Sequence, residues 1–206
     1  MDITKIQKVA LCGKANSGKN TTATLIAESL CKYPLEYKMM AFADPIKEML
    51  LKMFPWADCE CLYGSSKLRN NIIPHKIDKD GKSLTYRQAL IDLGKLGRIY
   101  NEDQWVDVFD HRIKNMCPAT GITGHSVGYK LIIATDVRYR NEFEYLKENG
   151  YFQIKIFRDS DIIINDSSET NQDQIKNNEF DFILDNNGTL EDLKNNIKKI
   201  VSQIRK

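Results

Sequence analysis

The sequence predicts an α/β fold: a doubly wound, mainly parallel sheet of about five strands, with helices on both faces. Three observations predict it. Apolar runs of strand length alternate with segments of helical period along the chain. Two of these runs, residues 8–13 and 130–136, have unbroken apolar centres, Val9 to Cys12 and Leu131 to Ala134, as strands covered on both faces do. Helix punctuation falls between the runs: Asp44-Pro45 as a start, Gly150 as a stop, and the capping-box pattern from Thr189 to Asp192.

The elements follow in order. Lys8-Val9-Ala10-Leu11-Cys12-Gly13 reads as a buried strand that ends in glycine. After a glycine-containing turn, residues 21–32 read as a helix with Ala23, Ile26, Ala27 and Leu30 on one face. Residues 37–43 form a second strand. A helix starting at Asp44 and Pro45 carries Ile46, Met49, Leu50 and Met53 as its apolar stripe. Residues 56–83 hold Gly64-Ser65-Ser66, Asn70-Asn71, Pro74 and Asp80-Gly81 with little periodicity, and predict an irregular excursion. Helical pattern resumes at Thr85 through Ala89, Leu90, Leu93 and Leu96. It returns over residues 104–116 with Trp105, Val108, Phe109 and Ile113 inward. Residues 118–129 read as a glycine-containing loop. Then come a strand over 130–136, a helix over 141–149 and a strand over 152–157. A polar stretch spans 159–179, followed by a last strand over 180–184. The terminal helix presents Leu193, Ile197, Ile200, Val201 and Ile204 on one face. The chain reads as one domain without an interdomain linker.

Composition bounds the function. With 206 residues and 42% apolar content, the chain can fill a core without staples. Thirty basic against 28 acidic residues leave a net charge of +2, which gives no nucleic-acid signature. No apolar run approaches the ~18 residues of a membrane span. The opening residues lack a signal-peptide apolar region, so a cytoplasmic protein is expected. Cys59 and Cys61 are one residue apart and no Cys-x-x-Cys occurs, which argues against zinc. Cys12, Cys31 and Cys117 read as small core residues.

The motif carrying most chemistry is Gly13-Lys14-Ala15-Asn16-Ser17-Gly18-Lys19-Asn20-Thr21. It fits Gly-x-x-x-x-Gly-Lys between a strand and a helix. Glycines let main-chain N–H groups turn inward onto phosphate oxygens, and the next helix adds its positive N-terminal end. Lys19 supplies a mobile cation for β and γ phosphates. The ending Lys19-Asn20-Thr21 resembles that of nucleoside monophosphate kinases, and this resemblance makes Thr21 a candidate for a phosphate or magnesium contact. Asn20 offers no hydroxyl, which leaves the direct metal ligands open. Asp136, at the end of its strand, could hold a magnesium-bound water. Arg138, Arg140 and Arg158 stand at strand ends, where planar guanidinium groups suit phosphates. On the acceptor side, Asp44 could meet a sugar or base and Lys47 a phosphate. Arg87 and the weaker Arg98 are phosphate candidates, and Gln88 could read a base edge. A helical and irregular insertion at about 56–129 would bind the acceptor, and 159–179 is a candidate lid by its resemblance in position to the lid of monophosphate kinases, though Arg158 is the last arginine before Arg205. Trp105 reads as core. An acceptor phosphate is already an anion near neutral pH, so no general base is required.

These segments resemble the deoxynucleoside monophosphate kinases of large bacteriophages and, more loosely, the P-loop monophosphate kinases. The resemblance rests on the phosphate-loop motif, Phe42-Ala43-Asp44-Pro45-Ile46-Lys47, Arg87-Gln88-Ala89-Leu90 with Gly94 and Arg98, Asp103-Gln104-Trp105, Asp136-Val137-Arg138 with Asn141-Glu142, and Phe180-Asp181 with Asn186. Departures are Asn20, where similar proteins often have Asp, Lys95 after Gly94, and Asp166-Ser167-Ser168-Glu169 in place of a His-x-Ser-Glu-like stretch. The resemblance implies ATP as donor, magnesium, and a deoxynucleoside monophosphate as acceptor, in the supply of nucleotide precursors. It places the protein in the host cytoplasm if it is phage-encoded. It also implies adenine near Asp185-Asn186-Asn187-Gly188. Partners would be small nucleotides, without nucleic acid or membrane. The oligomeric state stays open, with a homodimer among the options. Two other readings stay open: a P-loop kinase for an acceptor such as phosphomevalonate or dephospho-coenzyme A, and a nucleotide-dependent switch.

Overall fold

The computed structural model describes residues 6–77, 79–116, 119–120, 126–127, 129–159 and 171–205. In chain order its first elements are β1 (Gln7–Cys12), α1 (Lys19–Leu30), β2 (Tyr37–Met40), α2 (Asp44–Met53) and α3 (Cys59–Tyr63). Then come β3 (Ile72–Ile77), β4 (Ser83–Thr85), α4 (Tyr86–Tyr100), α5 (Gln104–Lys114), β5 (Ala119–Thr120) and β6 (Ser126–Val127). The last are β7 (Leu131–Val137), α6 (Arg140–Glu148), β8 (Phe152–Phe157), β9 (Phe182–Asp185) and α7 (Leu190–Ile204). The chain divides into two compact units, Met1–Ala41 with Arg112–Lys206, and Phe42–His111.

The first unit is built on a five-stranded sheet of order β2-β7-β1-β8-β9, and every pairing in it is parallel. The predicted doubly wound sheet is therefore present. The chain leaves β1 through α1 toward β2, and leaves β7 through α6 toward β8, on the other side of β1. Right-handed crossovers place these two helices on opposite faces. All strand C-terminal ends share one rim, the edge where open α/β sheets bind ligands.

Strand alternation builds the larger core. Val9, Leu11, Leu131, Ile133, Ile154, Ile156 and Leu184 meet Ala23, Ile26 and Ala27 of α1 and the stripe Leu193, Ile197, Ile200 and Val201 of α7. Thr189 accepts a hydrogen bond from the Asp192 N–H at 3.2 Å, and the Asp192 carboxylate accepts one from the Thr189 N–H at 2.9 Å. This is the predicted capping box. Gly150 follows α6 with φ 75°, a left-handed stop that favours glycine. At the entry to β2 and β7, Glu36 is buried. It accepts from Lys130 Nζ at 2.6 Å and from the Lys32 N–H at 2.7 Å. The Lys130 hydrogen bond, opposed by desolvation, holds the Glu36 carboxyl below its ordinary range.

The second unit differs from the expectation for 56–83. The segment is not irregular. It forms α3, a 3-10 turn over Ser66–Asn70, and the antiparallel pair of β3 and β4. The Asp58 carboxylate caps α3 by accepting from the Glu60 N–H at 2.9 Å. Cys61, Leu62 and Ile73 are buried with Ile46 and Leu50 of α2, with Tyr86, Ala89 and Leu93 of α4, and with Trp105 of α5. Each short element contributes one or two anchors, too few to make a period. Trp105 is core as expected, its indole N–H donating to the Gly94 carbonyl at 2.9 Å.

Smaller differences concern which side chains face inward. Met49 and Met53 are exposed, because α2 buries only the Ile46–Leu50 pair of its expected stripe. Val106 rather than Val108 is buried on α5, and Leu96 is exposed. Within the expected loop 118–129, β5 pairs antiparallel with β6. Cys12 is buried and Cys31 half-buried, while Cys117 lies outside the described residues. So does 160–170, the middle of the expected lid. Among the described residues, no helix is long and apolar enough to cross a membrane.

Candidate functional site

β1 carries the chain to the rim at the centre of the sheet, and the loop between β1 and α1 turns there. Its first residue must be small. A Cβ on Gly13 would lie 2.6 Å from the Ile156 carbonyl oxygen and 2.7 Å from Ser17 Oγ. Gly18, with φ 95°, is left-handed and forms the N-cap of α1 without any side-chain cap. Asn16 is left-handed as well, at φ 61°, a conformation that asparagine tolerates better than most residues. The Ser17 N–H donates to the Lys14 carbonyl at 3.2 Å, and the Thr22 N–H closes the first helical bond onto the Gly18 carbonyl at 2.9 Å. The first turn of α1 therefore presents its N–H groups and its dipole toward the loop.

Lys19 bends back over this turn. Its ammonium donates to the carbonyls of Gly13 and, at 2.8 Å, of Lys14. Ser17 is buried, and its hydroxyl has no hydrogen-bond partner among the described residues. Asn186, at the end of β9, is also buried and donates from its carboxamide to the Ser17 carbonyl at 2.8 Å. Its own N–H donates to the Phe157 carbonyl at 2.8 Å. The resemblance implies adenine near Asn186; the structure lays its side chain against the loop's main chain.

Beneath the loop, burial pushes the Cys12 thiol up to about 11, against the pull of Lys19. It is a neutral thiol with its sulfur 3.9 Å from Gln172 Oε1. Asp173 pairs with the exposed Lys14 at 3.5 Å. Nothing in the sequence signals these contacts, because the partners are about 160 positions apart and of ordinary types.

Ala15 is half-buried in the loop, and Asn20 and Thr21 are exposed on the first turn of α1. Asp136 is half-buried near the end of β7, one residue before Val137, which is in register with Cys12. Arg138 follows β7, and its N–H donates to the buried Glu142 carboxylate at 2.8 Å. Arg158 is exposed just past β8. The loop between β1 and α1, Asp136 and these two arginines thus share the strand C-terminal rim. Arg140 opens α6 and is paired with two carboxylates. Its guanidinium meets Glu144 at 2.7 Å and Glu179 at 2.7 Å, and both hydrogen bonds raise its pKa.

In the second unit, Asp44 and Lys47 pair at 3.0 Å, with the ammonium 4.9 Å from the centre of the Tyr63 ring. Arg87 donates to Asn70 Oδ1 at 2.8 Å and to the Ser66 carbonyl at 2.9 Å. Gln88 donates to Asp92 at 2.9 Å, and Arg98 to the Gly94 carbonyl at 3.1 Å. Among the described residues no group of three or more His, Cys, Asp or Glu side chains gathers around a point that could hold a metal.

No protein-family model matches the sequence. A protein of Acanthamoeba polyphaga mimivirus, named "Putative deoxynucleotide monophosphate kinase", is 24% identical over 198 residues, covering 89% of this chain and 90% of that protein. Similar solved structures include APE1195, 13% identical with a TM-score of 0.40 over 98% of this chain and 97% of that one. Another is the dephospho-CoA kinase from Campylobacter jejuni, 16% identical with a TM-score of 0.40 over 95% of this chain and 96% of that one.

Proposed function

We propose that the protein is a kinase that transfers the γ-phosphoryl group of ATP to a (deoxy)nucleoside 5′-monophosphate. The observation that carries the reading is the loop at residues 13–18 on the central strand, with Lys19 bent over its carbonyls. The name of the mimivirus relative supports the same class of acceptor.

The chemistry asked of the protein is alignment and charge screening. Main-chain N–H groups of Ala15, Asn16 and Gly18, with those of Lys19, Asn20 and Thr21 in α1, would hold the phosphates, and the Ser17 N–H, bonded to the Lys14 carbonyl, would close the turn of the loop. The Lys19 ammonium would exchange its carbonyl partners for β and γ oxygens. Arg138 and Arg158 would screen the approach of donor and acceptor. We assign Arg140 to fastening residues 176–179 onto α6, since two carboxylates already hold its guanidinium. The acceptor residues proposed from the second unit are Asp44, Lys47, Arg87, Gln88 and Arg98. The donors beside the loop fit magnesium: Asp136, Asn20 and Thr21 offer hard oxygen atoms, and Cys12, the soft donor at its base, is a neutral thiol. The ion would neutralise charge on the β and γ oxygens.

A coupled assay of ADP release tests the reading, with ATP and a panel of deoxy- and ribonucleoside monophosphates, dephospho-coenzyme A and phosphomevalonate. Turnover with at least one nucleoside monophosphate is expected. Release with only one of the other acceptors would move the reaction to a different substrate, and acceptor-independent hydrolysis would favour a switch.

A further inference from the structure

The contact between Asn186 and the phosphate loop constrains one peptide of that loop. A trans peptide points its C=O and the next N–H in opposite directions. The Ser17 carbonyl is held from behind by the Asn186 carboxamide at 2.8 Å. The N–H of the same peptide belongs to Gly18, and it must point to the other side. Ser17 is buried, and its own hydroxyl contributes no partner to fix this peptide. Gly18 sits at a φ of 95°, and glycine accepts either sign of φ, so the backbone alone does not prevent the peptide from flipping. Asn186 is itself anchored: its N–H is bonded to the Phe157 carbonyl at the end of β8, and the residue is 7% exposed. There is no slack on that side, since a Cβ on Gly18 would collide with the Asn186 amide nitrogen.

We propose that Asn186 is a positioning residue that locks the Ser17–Gly18 peptide with the Gly18 N–H turned into the cradle, so that it sets affinity for the phosphate chain and not for the base. The inference rests on the phosphate-loop reading above. Losing the carboxamide donor lets the peptide sample the flipped orientation, which faces a carbonyl oxygen toward bound phosphate.

Inorganic tripolyphosphate with magnesium is the discriminating probe, because it carries no base. Calorimetric titration of the wild-type protein, Asn186→Ala and the size-matched Asn186→Leu should show binding of tripolyphosphate weakened roughly tenfold in both variants, the scale of one lost buried hydrogen bond. ATP should weaken by the same factor. Weakened ATP binding with unchanged tripolyphosphate binding would make Asn186 a base contact and overturn the proposal. Unchanged binding of both ligands would overturn it too. Failure of the wild-type protein to bind tripolyphosphate would remove the phosphate-loop reading and this inference with it. If neither variant folds, the wild-type amide spectrum decides. The Gly18 amide must shift when tripolyphosphate is added, and a Gly18 amide that stays in place overturns the proposal.

Discussion

In the sheet unit, the groups at the candidate site belong mostly to the main chain, and side chains such as Asn186 and Lys19 bond to that main chain. In the Phe42–His111 unit, the candidate groups are side chains, and each has a local protein partner: Lys47 with Asp44, Arg87 with Asn70 and Ser66, Gln88 with Asp92, Arg98 with Gly94. On the proposed function, phosphate recognition by amides is written in glycine spacing, which a motif displays. Recognition of an acceptor by cations depends on which partners those cations release, and spacing does not encode that.

The sharpest test of this contrast is Lys19→Ala. Removing the ammonium that bends over the loop should lower turnover by roughly a hundredfold to a thousandfold, with circular dichroism unchanged. Normal turnover would break the assignment of the sheet unit as the donor site. Arg87→Ala should act differently. It removes two hydrogen bonds that tie α4 to the 66–70 turn, and it should cost about 1–2 kcal/mol in denaturant unfolding. A raised KM for the acceptor without loss of stability would instead make Arg87 a substrate contact, and would soften the contrast.

The smallest effect concerns the ion pair outside both candidate sites. Glu36 has a lowered pKa, so its contribution is complete above the ordinary value of 4.5 and is lost as pH falls through the lowered one. Lys130 has a raised pKa, so its contribution is complete below 10.5 and is lost as pH rises through the raised one. Glu36→Gln should therefore lower Tm across the neutral plateau. The gap from wild type should close in strong acid and in strong alkali. A gap that persists at low pH would trace the loss to packing.

The five strands and their flanking helices are legible in the sequence because their buried residues repeat at strand or helix period. Val9 and Leu11, the continuous run Leu131-Ile132-Ile133, and the stripe from Leu193 to Val201 are the clearest cases. The turn between β1 and α1 is legible because Gly13 and Gly18 stand where no side chain fits or where φ is left-handed. The 56–83 segment is not legible, because α3 has only five residues and its cap, Asp58, is a single side chain without a following apolar period. Met49 and Met53 mislead because an apolar residue at helical spacing need not be buried. The commitment of Arg140 to Glu144 and Glu179 stays hidden because Glu179 lies 39 positions away, on a segment with no periodicity.

Burial keeps Cys12 protonated at neutral pH, so electrophiles in solution find no thiolate at the root of the loop. Cys59 is the exposed cysteine among the described ones. Of these, a maleimide dye should therefore attach first at Cys59, the start of α3. Its emission would report on the Phe42–His111 unit and leave the turn between β1 and α1 chemically untouched.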